Sequence, residues 1–169
     1  MELHTEEDDL HFRFPELTDA AAIHDLVGRS KPLDLNSLYS YLLLCDHFRN
    51  TCIVAVHKSV IVGFISAYVP PEKPDTIFVW QVAVDGSMRN RSLATRMLRG
   101  LMSRKAFSGL KQLETTVTPS NKASMAFFRA FAENLEAPFT TNPCYEAELF
   151  GDEGHEEELL VRIGPFDRT

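Results

Sequence analysis

The chain has 169 residues, of which 44% are hydrophobic and 24% are charged, so we expect one globular domain with a substantial hydrophobic core. The formal net charge of -7 at pH 7 argues against a general nucleic-acid partner, because such proteins need a basic surface. The apolar runs are shorter than the roughly 20 residues that span a bilayer, so we expect no membrane partner.

Neither the cysteines nor the histidines are spaced like metal ligands, so no metal is expected. Cys45, Cys52 and Cys144 are odd in number, which indicates buried or free thiols in a reducing compartment. The start, MELHTEEDDL, is acidic and lacks the basic and apolar regions of a signal peptide. We therefore predict a disordered lead-in over residues 1–10, a single domain over residues 11–169 and a cytoplasmic location.

The first part of the chain predicts a strand, two helices and a hairpin, at residues 11–14, 19–27, 37–48, 51–57 and 60–69. Thr18 is placed to cap the first of these helices. Lys58-Ser59 joins the two hairpin strands. Gly63 marks either a bulge or a close approach between backbones.

The centre of the chain is an apolar run, a turn, a basic loop and an amphipathic helix. Ile77–Val84 is predicted as a strand buried on both faces, and Asp85-Gly86-Ser87 ends it with turn chemistry. A helix opens at about Ser92. Its apolar face is expected at Leu93, Met97, Leu98 and Leu101, and its basic outer face at Arg96, Arg99 and Arg104.

The basic loop Arg89-Asn90-Arg91 indicates an anion site. The first-turn amides of the helix that follows have no intrahelical partner, and the helix dipole favours negative charge there. Arg89 and Arg91 would add charge-assisted hydrogen bonds to phosphate. The alternative is that they are ordinary arginines of a surface loop.

The last part of the chain predicts a strand, a helix and two more strands, at residues 110–118, 121–131, 144–150 and 158–164. The first of these strands is expected beside Ile77–Val84 and parallel to it, because the intervening helix makes a βαβ unit. The helix is expected to bury Ala123, Ala126, Phe127 and Ala130. An acidic, turn-rich loop, Gly151–His155, separates the last two strands.

The order β-α-α-β-β-β-α-β-α-β-β, with a basic loop before the third helix, resembles the GNAT N-acetyltransferase family over Phe12–Gly164. The resemblance implies an α/β fold whose central mixed sheet is splayed at the acetyl-CoA site, with helices on both faces. In that family an Arg/Gln-x-x-Gly-x-Gly/Ala loop holds the pyrophosphate of acetyl-CoA. The corresponding residues are Arg89-Asn90-Arg91-Ser92-Leu93-Ala94, so Ser92 stands where glycine is usual.

A second stretch, beginning at Asn121, resembles the Asn-x-x-Ser/Ala helix that lines the pantetheine arm in this family. Many members have, at the position of Phe128, a tyrosine that protonates the departing thiolate, and phenylalanine cannot do this. The coenzyme contacts that the resemblance implies are Val82, Ala83, Val84, Arg89, Asn90, Arg91, Ser92, Leu93, Ala94, Thr95, Asn121, Ser124 and Phe128.

Four longer stretches are similar to one branch of the family, the L-2,4-diaminobutyrate acetyltransferases of ectoine synthesis. They are LDLNSLYSYLLLCDHF, ISAYVPPEKPDTIFVWQVAVD, ETTVTPSNKAS and LLVRIGPF. The similarity implies acetyl transfer from acetyl-CoA to the 4-amino group of L-2,4-diaminobutyrate, in the synthesis of a compatible solute of osmotic stress. It also implies a cytoplasmic homodimer that needs no metal.

An amine attacks a thioester only as the free base, so the substrate ammonium must give up a proton. Glu158 and His155 are the candidate acceptors, and the backbone of Val82, in a bulge expected over Gln81–Val84, is the candidate donor to the oxyanion. Anionic side chains should hold the substrate's α-ammonium. The substrate-binding candidates are Asp34, Leu38, Trp80, Gln81, Thr116, Asn121, His155, Glu157 and Glu158.

Most of these candidates have a purely structural interpretation as well. Asp34 can simply precede a helix cap, Asn121 can be a cap itself, and Trp80 can be a core residue. The charge run Glu156–Glu158 and His155 can be solvated. Ser92 and Phe128 also leave open a degenerate module that only binds acyl-CoA, and a GNAT enzyme that acetylates another small amine.

Overall fold

The computed structural model describes residues 9–151 and 154–167. The predicted lead-in over residues 1–10 therefore lies mostly outside the described residues, and so do Asp152 and Glu153 of the acidic loop. Leu10, which the sequence assigned to the lead-in, is instead the first residue of a strand.

The described residues form four α-helices and seven strands. The helices are α1 (Ala20–Gly28), α2 (Leu38–Asp46), α3 (Leu93–Met102) and α4 (Lys122–Asn134). The strands are β1 (Leu10–Arg13), β2 (Ile53–His57), β3 (Val60–Tyr68), β4 (Thr76–Val84), β5 (Gln112–Val117), β6 (Phe139–Tyr145) and β7 (Glu158–Ile163). Their order in the sheet is β1-β2-β3-β4-β5-β7-β6.

The sheet is mixed, which confirms the predicted α/β architecture. β1 with β2, β2 with β3, β5 with β7 and β6 with β7 are antiparallel, whereas β4 and β5 are parallel. The parallel register covers Thr76–Phe78 and Gln112–Glu114, and both strands continue beyond it. A short parallel register of this kind agrees with the splayed sheet that the resemblance implies.

The chain divides into two compact units. The first unit contains the described residues up to Tyr68 together with Gln81–Lys105, and the second contains Val69–Trp80 and the described residues from Ala106 onward. β4 therefore contributes residues to both. The predicted single domain stays a prediction, and the two units are described separately below.

The first unit has a core built from α1, α2 and the strands β2 and β3. Its fully buried side chains include Ile23, Leu26, Tyr41 and Phe64. Thr18 is not the cap of α1. The chain makes a 3-10 turn over Leu17–Asp19 first, and the Asp19 carboxylate accepts a hydrogen bond of 2.7 Å from the backbone N–H of Glu16.

Two of the three thiols lie in this core, as the sequence indicated. Burial raises the pKa of Cys45 to about 12 and that of Cys52 to about 11, so neither thiol is nucleophilic near neutral pH. Cys144, in the second unit, is exposed, and all three thiols are free.

The predicted hairpin is confirmed, with Lys58 and Ser59 at the centre of its turn. Lys58 and Ser59 both have positive φ, 48° and 64°, as a type I′ turn requires. The register shifts between Ala55 and Val56, opposite Gly63. A Cβ at Gly63 would lie 2.6 Å from the Met97 sulfur. This glycine therefore lies at a bulge, and the group that approaches it closely is a side chain and not another backbone.

The prediction that β4 is buried on both faces is wrong for its second half. From Val79 onward, buried residues alternate with residues that are not, and Trp80 is 42% exposed. Alternation of this kind is the pattern of a strand covered on one face. The sequence did not reveal this alternation, because the side chains on the uncovered face of β4 are also apolar or aromatic.

In the second unit, β5 and β7 are central and β6 lies at the edge. The strand predicted at residues 144–150 is misplaced, because β6 is Phe139–Tyr145 and Ala147–Phe150 is a 3-10 helix. The buried face of α4 is also different from the prediction, since Phe128, Phe131 and Ala132 are buried whereas the predicted alanines are exposed. The larger aromatic side chains set the orientation of this helix.

No helix within residues 9–151 and 154–167 is both long and apolar enough to cross a membrane.

Candidate active site

The basic loop of the first unit is exposed, and the residue that precedes it is buried in the core. Arg89, Asn90, Arg91 and Ser92 are exposed, whereas Met88 is buried. Asn90 and Ser92 have φ values of 63° and 54°. Two left-handed residues in four turn the backbone sharply before α3 begins, which brings successive amides to one side of the loop.

The start of α3 has the free amides that an anion needs. The Ser92 side chain makes no capping hydrogen bond, so it leaves the first-turn N–H groups of Leu93, Ala94 and Thr95 without a partner from the cap. Ser92 occupies the left-handed region, which favours glycine. The glycine of the GNAT pattern suits a left-handed residue at this position, and here serine adopts that conformation.

Asp85 and Arg29 hold the other end of this loop. One carboxylate oxygen of Asp85 accepts hydrogen bonds from the Ser87 N–H (3.0 Å) and hydroxyl (2.7 Å). The other oxygen accepts two bonds from the Arg29 guanidinium, at 3.2 and 3.0 Å. The Ser87 bonds, with help from Arg29, lower the pKa of Asp85. A carboxylate that would repel a nearby phosphate is thereby paired with a cation.

Gln81, a predicted substrate contact, is 4% exposed and already hydrogen-bonded. Its Oε1 accepts from the Tyr41 hydroxyl (3.2 Å) and its Nε2 donates to the backbone carbonyl of Asp34 (2.8 Å). Its backbone N–H donates to the Ser66 hydroxyl (3.2 Å). The side chain therefore fixes the segment that carries Asp34, and a direct contact between Gln81 and substrate stays a prediction.

The segment that Gln81 holds exposes polar and apolar side chains side by side. Asp34, just before α2, and Leu38, the first residue of α2, are both exposed. Leu38, a predicted substrate contact, is thus available for contact with a ligand. The oxyanion donor proposed at Val82, and its neighbours Ala83 and Val84, follow Gln81 in β4.

In the second unit, Asn121 caps the start of α4. The Asn121 side-chain oxygen accepts a hydrogen bond of 3.1 Å from the Ser124 N–H, so the cap interpretation of Asn121 is correct. Phe128 is buried, and its ring lies 4.9 Å from that of Phe127. These contacts do not test whether Asn121, Ser124 and Phe128 also touch the coenzyme.

His155 and Glu158, the candidate proton acceptors, are neighbours. The imidazole stacks on the Phe150 ring at 4.0 Å, and its Nδ1 lies 2.6 Å from the backbone carbonyl of Glu156. Its Nε2 lies 3.8 Å from a carboxylate oxygen of Glu158.

Glu157 lies in a different setting from Glu158. It lines a cavity of about 490 Å³ that is strongly acidic. The lining residues are Pro119, Glu146, Ala147, Glu148, Glu156 and Glu157. The Glu156 carboxylate accepts a hydrogen bond from the Ser120 hydroxyl, so this member of the charge run is not simply solvated.

Trp80 and Thr116 lie in strands of the second unit whose open face is polar and aromatic. Trp80 shares a face of β4 with Phe78, and Thr116 shares a face of β5 with Glu114, which pairs with Phe78 in the register. Trp80 is exposed and Thr116 half-buried. A core role for Trp80 is therefore wrong.

The predicted site residues fall into two groups. Asp34, Leu38, Gln81–Val84 and Arg89–Thr95 belong to the first unit. Trp80, Thr116, Asn121, Ser124, Phe128, His155, Glu157 and Glu158 belong to the second.

The sequence analysis missed the residues that support these groups, namely Arg29, Tyr41, Ser66, Asp85 and Glu114. A charged residue in the middle of a strand, as in Leu113-Glu114-Thr115, was the one local signal, because a buried carboxylate needs partners. The other partners are distant in the sequence and carry no local signal. Among the described residues, no group of three or more His, Cys, Asp or Glu side chains could hold a metal ion.

Comparison with known proteins identifies the family. Residues 20–132 match the acetyltransferase (GNAT) family. The chain is 46% identical to an L-2,4-diaminobutyric acid acetyltransferase of Marinococcus halophilus over 161 residues, which is 95% of this chain and 93% of that protein. The corresponding protein of Halalkalibacterium halodurans is 44% identical over 151 residues, 89% of this chain and 79% of that one.

A solved structure is equally similar. It is the diaminobutyrate acetyltransferase of Paenibacillus lautus in complex with its substrate L-2,4-diaminobutyric acid and coenzyme A. The two folds superpose with a TM-score of 0.90 at 46% identity, over 95% of this chain and 97% of that one. The chain therefore belongs to the GNAT acetyltransferase family.

Proposed function

We propose that the chain transfers the acetyl group of acetyl-CoA to the 4-amino group of L-2,4-diaminobutyrate, giving N4-acetyl-L-2,4-diaminobutyrate for ectoine synthesis. The observation that carries this proposal is the 46% identity, over 95% of the chain, to the Paenibacillus lautus enzyme bound to this substrate and coenzyme A. The similarity extends along almost the whole chain at this level of identity, so the proposal does not rest on likeness of fold alone.

Acetyl-CoA is the cosubstrate, and the loop before α3 fits its phosphates. Arg89 and Arg91 supply exposed cations, and the uncapped amides of Leu93–Thr95 supply hydrogen-bond donors. Arg29 neutralises the one carboxylate that ends the preceding strand, Asp85. The overall charge of -7 makes this local arrangement necessary, because the body of the protein repels a polyanion.

The reaction is a direct attack of the amine on the thioester carbonyl. The substrate's 4-ammonium first loses a proton to His155 or Glu158, whose facing atoms lie 3.8 Å apart. The C–N bond then forms, and a backbone N–H of β4, at Val82, donates to the oxyanion. When the C–S bond breaks, the nitrogen gives up the second proton that the amide cannot keep, and this proton passes through water to the departing thiolate, because Phe128 has none to give.

The substrate carries two amines, so the enzyme must hold one of them away from the thioester. Asp34 supplies a carboxylate for the α-ammonium, and Glu158 supplies a second one where His155 is the group that accepts the 4-ammonium proton. Trp80 supplies an exposed aromatic face for a cation. The Thr116 hydroxyl is a further hydrogen-bonding group. Gln81 acts through its bond to the Asp34 carbonyl.

We also propose that the protein works as a cytoplasmic homodimer under osmotic stress. Free thiols suit a reducing compartment. The edge strand β6 ends in exposed Tyr145, and exposed Leu149 follows it. Apolar side chains at an open sheet edge favour burial against another chain. Sedimentation analysis would give twice the monomer mass for a dimer, and the monomer mass would contradict it.

An acceptor panel tests the proposed reaction. The rate of coenzyme A release should be measured with L-2,4-diaminobutyrate, ornithine, lysine and spermidine as acceptors. We expect kcat/KM for diaminobutyrate to exceed that for ornithine at least ~10-fold and that for lysine at least ~100-fold, because each extra methylene changes binding ~10-fold or more. Comparable rates on the longer amines would instead indicate a broader amine acetyltransferase. Binding of acetyl-CoA without turnover on any amine would indicate a module that only binds acyl-CoA.

A further inference from the structure

A buried carboxylate in the second unit holds two cations at the surface. Glu114 is only 3% exposed, in the middle of β5. Its oxygens accept hydrogen bonds from Lys73 Nζ at 3.1 and 2.8 Å, and from Arg162 Nε and Nη2 at 2.9 and 2.7 Å. Burial raises the pKa of Glu114, but the bonds from Lys73 and Arg162 outweigh it, so the net pKa is lowered. Glu114 is therefore ionised at neutral pH.

The two cations retain capacity for a second anion. One carboxylate cannot balance both of them, so the cluster of Lys73, Glu114 and Arg162 has one excess positive charge. Arg162 Nη1 makes no hydrogen bond to any described residue, and Lys73 has a third proton. The side chains of Lys73 and Arg162 are 46% and 40% exposed. These unused donors are accessible from the surface, and Glu114 fixes their positions.

The cluster lies on the sheet face that carries predicted substrate contacts. Arg162 is opposite Glu114 in the register and Leu160 is opposite Thr116. Because alternate residues share a face, Glu158 is on the same face of β7 as Arg162. Four strand residues separate their Cα atoms by about 13 Å. The face has a positive end and a negative end, with the Thr116 hydroxyl on the strand beside them.

We propose that Lys73 and Arg162 form the binding site for the α-carboxylate of the amino-acid substrate, with Glu114 positioning both cations. This inference rests on the proposed function. A zwitterionic amino acid then binds along the face, with its carboxylate at the Lys73–Arg162 end and its α-ammonium toward Glu158. Such an orientation leaves the side-chain amine as the group that reaches the thioester.

Carboxylate binding at this cluster would make the enzyme prefer amino acids to simple diamines as substrates. A polyamine has no carboxylate, so it would leave the excess positive charge and the unused donors without a partner. Sites built to hydrogen-bond a substrate group strongly reject analogues that lack the group. A purely structural ion cluster, in contrast, would affect every amine substrate equally when it is weakened.

The test compares L-2,4-diaminobutyrate with 1,3-diaminopropane, the same diamine without its carboxylate. In Lys73→Met and in Arg162→Gln we expect kcat/KM for diaminobutyrate to fall roughly 10- to 100-fold, the range for a lost charge-assisted hydrogen bond. The value for diaminopropane should stay within about threefold of wild type. The KM for acetyl-CoA should not change. Lys111→Met removes an exposed cation just before β5 and should leave both substrates unaffected.

A second measurement does not depend on turnover of the weaker substrate. L-2-aminobutyrate carries the α-amino acid group without the reacting amine, so it should inhibit competitively. Its inhibition constant should rise in both variants by the factor that diaminobutyrate loses.

A parallel loss on both amines, or an unchanged inhibition constant, would overturn the assignment. Failure of the proposed function itself looks different. In that case the wild-type chain does not acetylate diaminobutyrate, whatever the variants do.

Discussion

Gln81 shows how one buried side chain can organise a binding segment from behind. Its amide bonds to Tyr41 on one side and to the Asp34 carbonyl on the other. The Tyr41 hydroxyl also accepts a long hydrogen bond, 3.4 Å, from the Asn36 N–H. The backbone around Asp34 is therefore fixed at two points, and the orientation of its carboxylate depends on residues that need not touch the substrate.

Tyr41→Phe removes the hydroxyl that joins Gln81 to Asn36. Leaving the Gln81 oxygen buried without this donor should lower the free energy of unfolding by ~1–2 kcal/mol. The looser segment should raise the KM for diaminobutyrate severalfold and leave the KM for acetyl-CoA unchanged. Urea denaturation and steady-state kinetics measure both effects. Tyr39→Phe is the matched control, because Tyr39 is 67% exposed on the same helix. Equal effects of the two substitutions would contradict this role.

A second residue-level prediction concerns the pH dependence of stability. Asp19 accepts bonds of 2.6 and 3.0 Å from Arg13. Burial raises the pKa of Asp19, but the Arg13 and Glu16 bonds outweigh it, so the folded pKa lies below the usual value of 3.8. A lowered folded pKa means that this stabilisation is present above the unfolded pKa and is lost as the pH falls through the folded pKa.

Asp19→Asn should therefore cost ~1–3 kcal/mol of unfolding free energy at pH 7 and much less at pH 3. Urea denaturation at both pH values measures the difference. Asp25→Asn, at an exposed position of α1, is the control and should change stability little at either pH. A cost for Asp19→Asn that is independent of pH would show that the ion pair contributes nothing to the acid sensitivity.

Among the structural elements, the start of α3 matters most for the proposed binding of acetyl-CoA. Ser92 has a φ of 54°, and the same position determines where the first-turn amides point. A non-glycine residue in this region costs of order 1 kcal/mol, and a β-branched residue costs more. The loop therefore keeps the backbone of the GNAT pattern at some cost in conformational energy.

Two substitutions at this position should have opposite effects. Ser92→Gly should bind acetyl-CoA as tightly as wild type or up to ~5-fold tighter, because the strain is removed. Ser92→Val should weaken binding at least ~10-fold, because valine resists positive φ. Isothermal titration calorimetry gives both dissociation constants. Equal affinities for the two variants would mean that this backbone conformation does not matter for the coenzyme.

The same elements show what the sequence could and could not predict. The hairpin turn, the apolar face of α3 and the βαβ unit were predicted correctly, because each has a strong local pattern. Arg104 was placed on the outer face of α3, yet α3 ends at Met102. Arg104 instead donates to the Asn50 and Cys52 carbonyls at 2.8 Å, a pairing across more than fifty residues that no local pattern reveals.

The edge strand β6 was the least predictable element. Six of its seven residues are exposed and it contains Pro143, so it has neither the alternation nor the composition of a buried strand. It pairs with β7 with a register shift between Pro143 and Tyr145, and backbone pairing of this kind leaves little signal in the side-chain pattern. The candidate site was predictable where a motif marks it, at Arg89–Thr95, and not where Glu114 gathers Lys73 and Arg162 from distant segments.

At the scale of the whole molecule, the distribution of charge is consistent with the proposed chemistry. The net charge is -7, yet Arg89 and Arg91 mark the loop that fits a polyanion. The second unit carries an acidic cavity and, separately, a cationic cluster on Glu114. Separate positive and negative regions suit a reaction that joins an anionic coenzyme to a substrate bearing charges of both signs.

The position of the acetyl group on the product tests the proposed reaction most directly. Acetyl-CoA labelled with ¹³C in its carbonyl should be consumed with L-2,4-diaminobutyrate, and the product should be analysed by two-dimensional NMR. We predict a single product in which the labelled carbonyl couples to the protons on C4. A coupling to the proton on C2, or a mixture of both products, would show that the α-amine is not held away from the thioester. It would contradict the proposed selectivity.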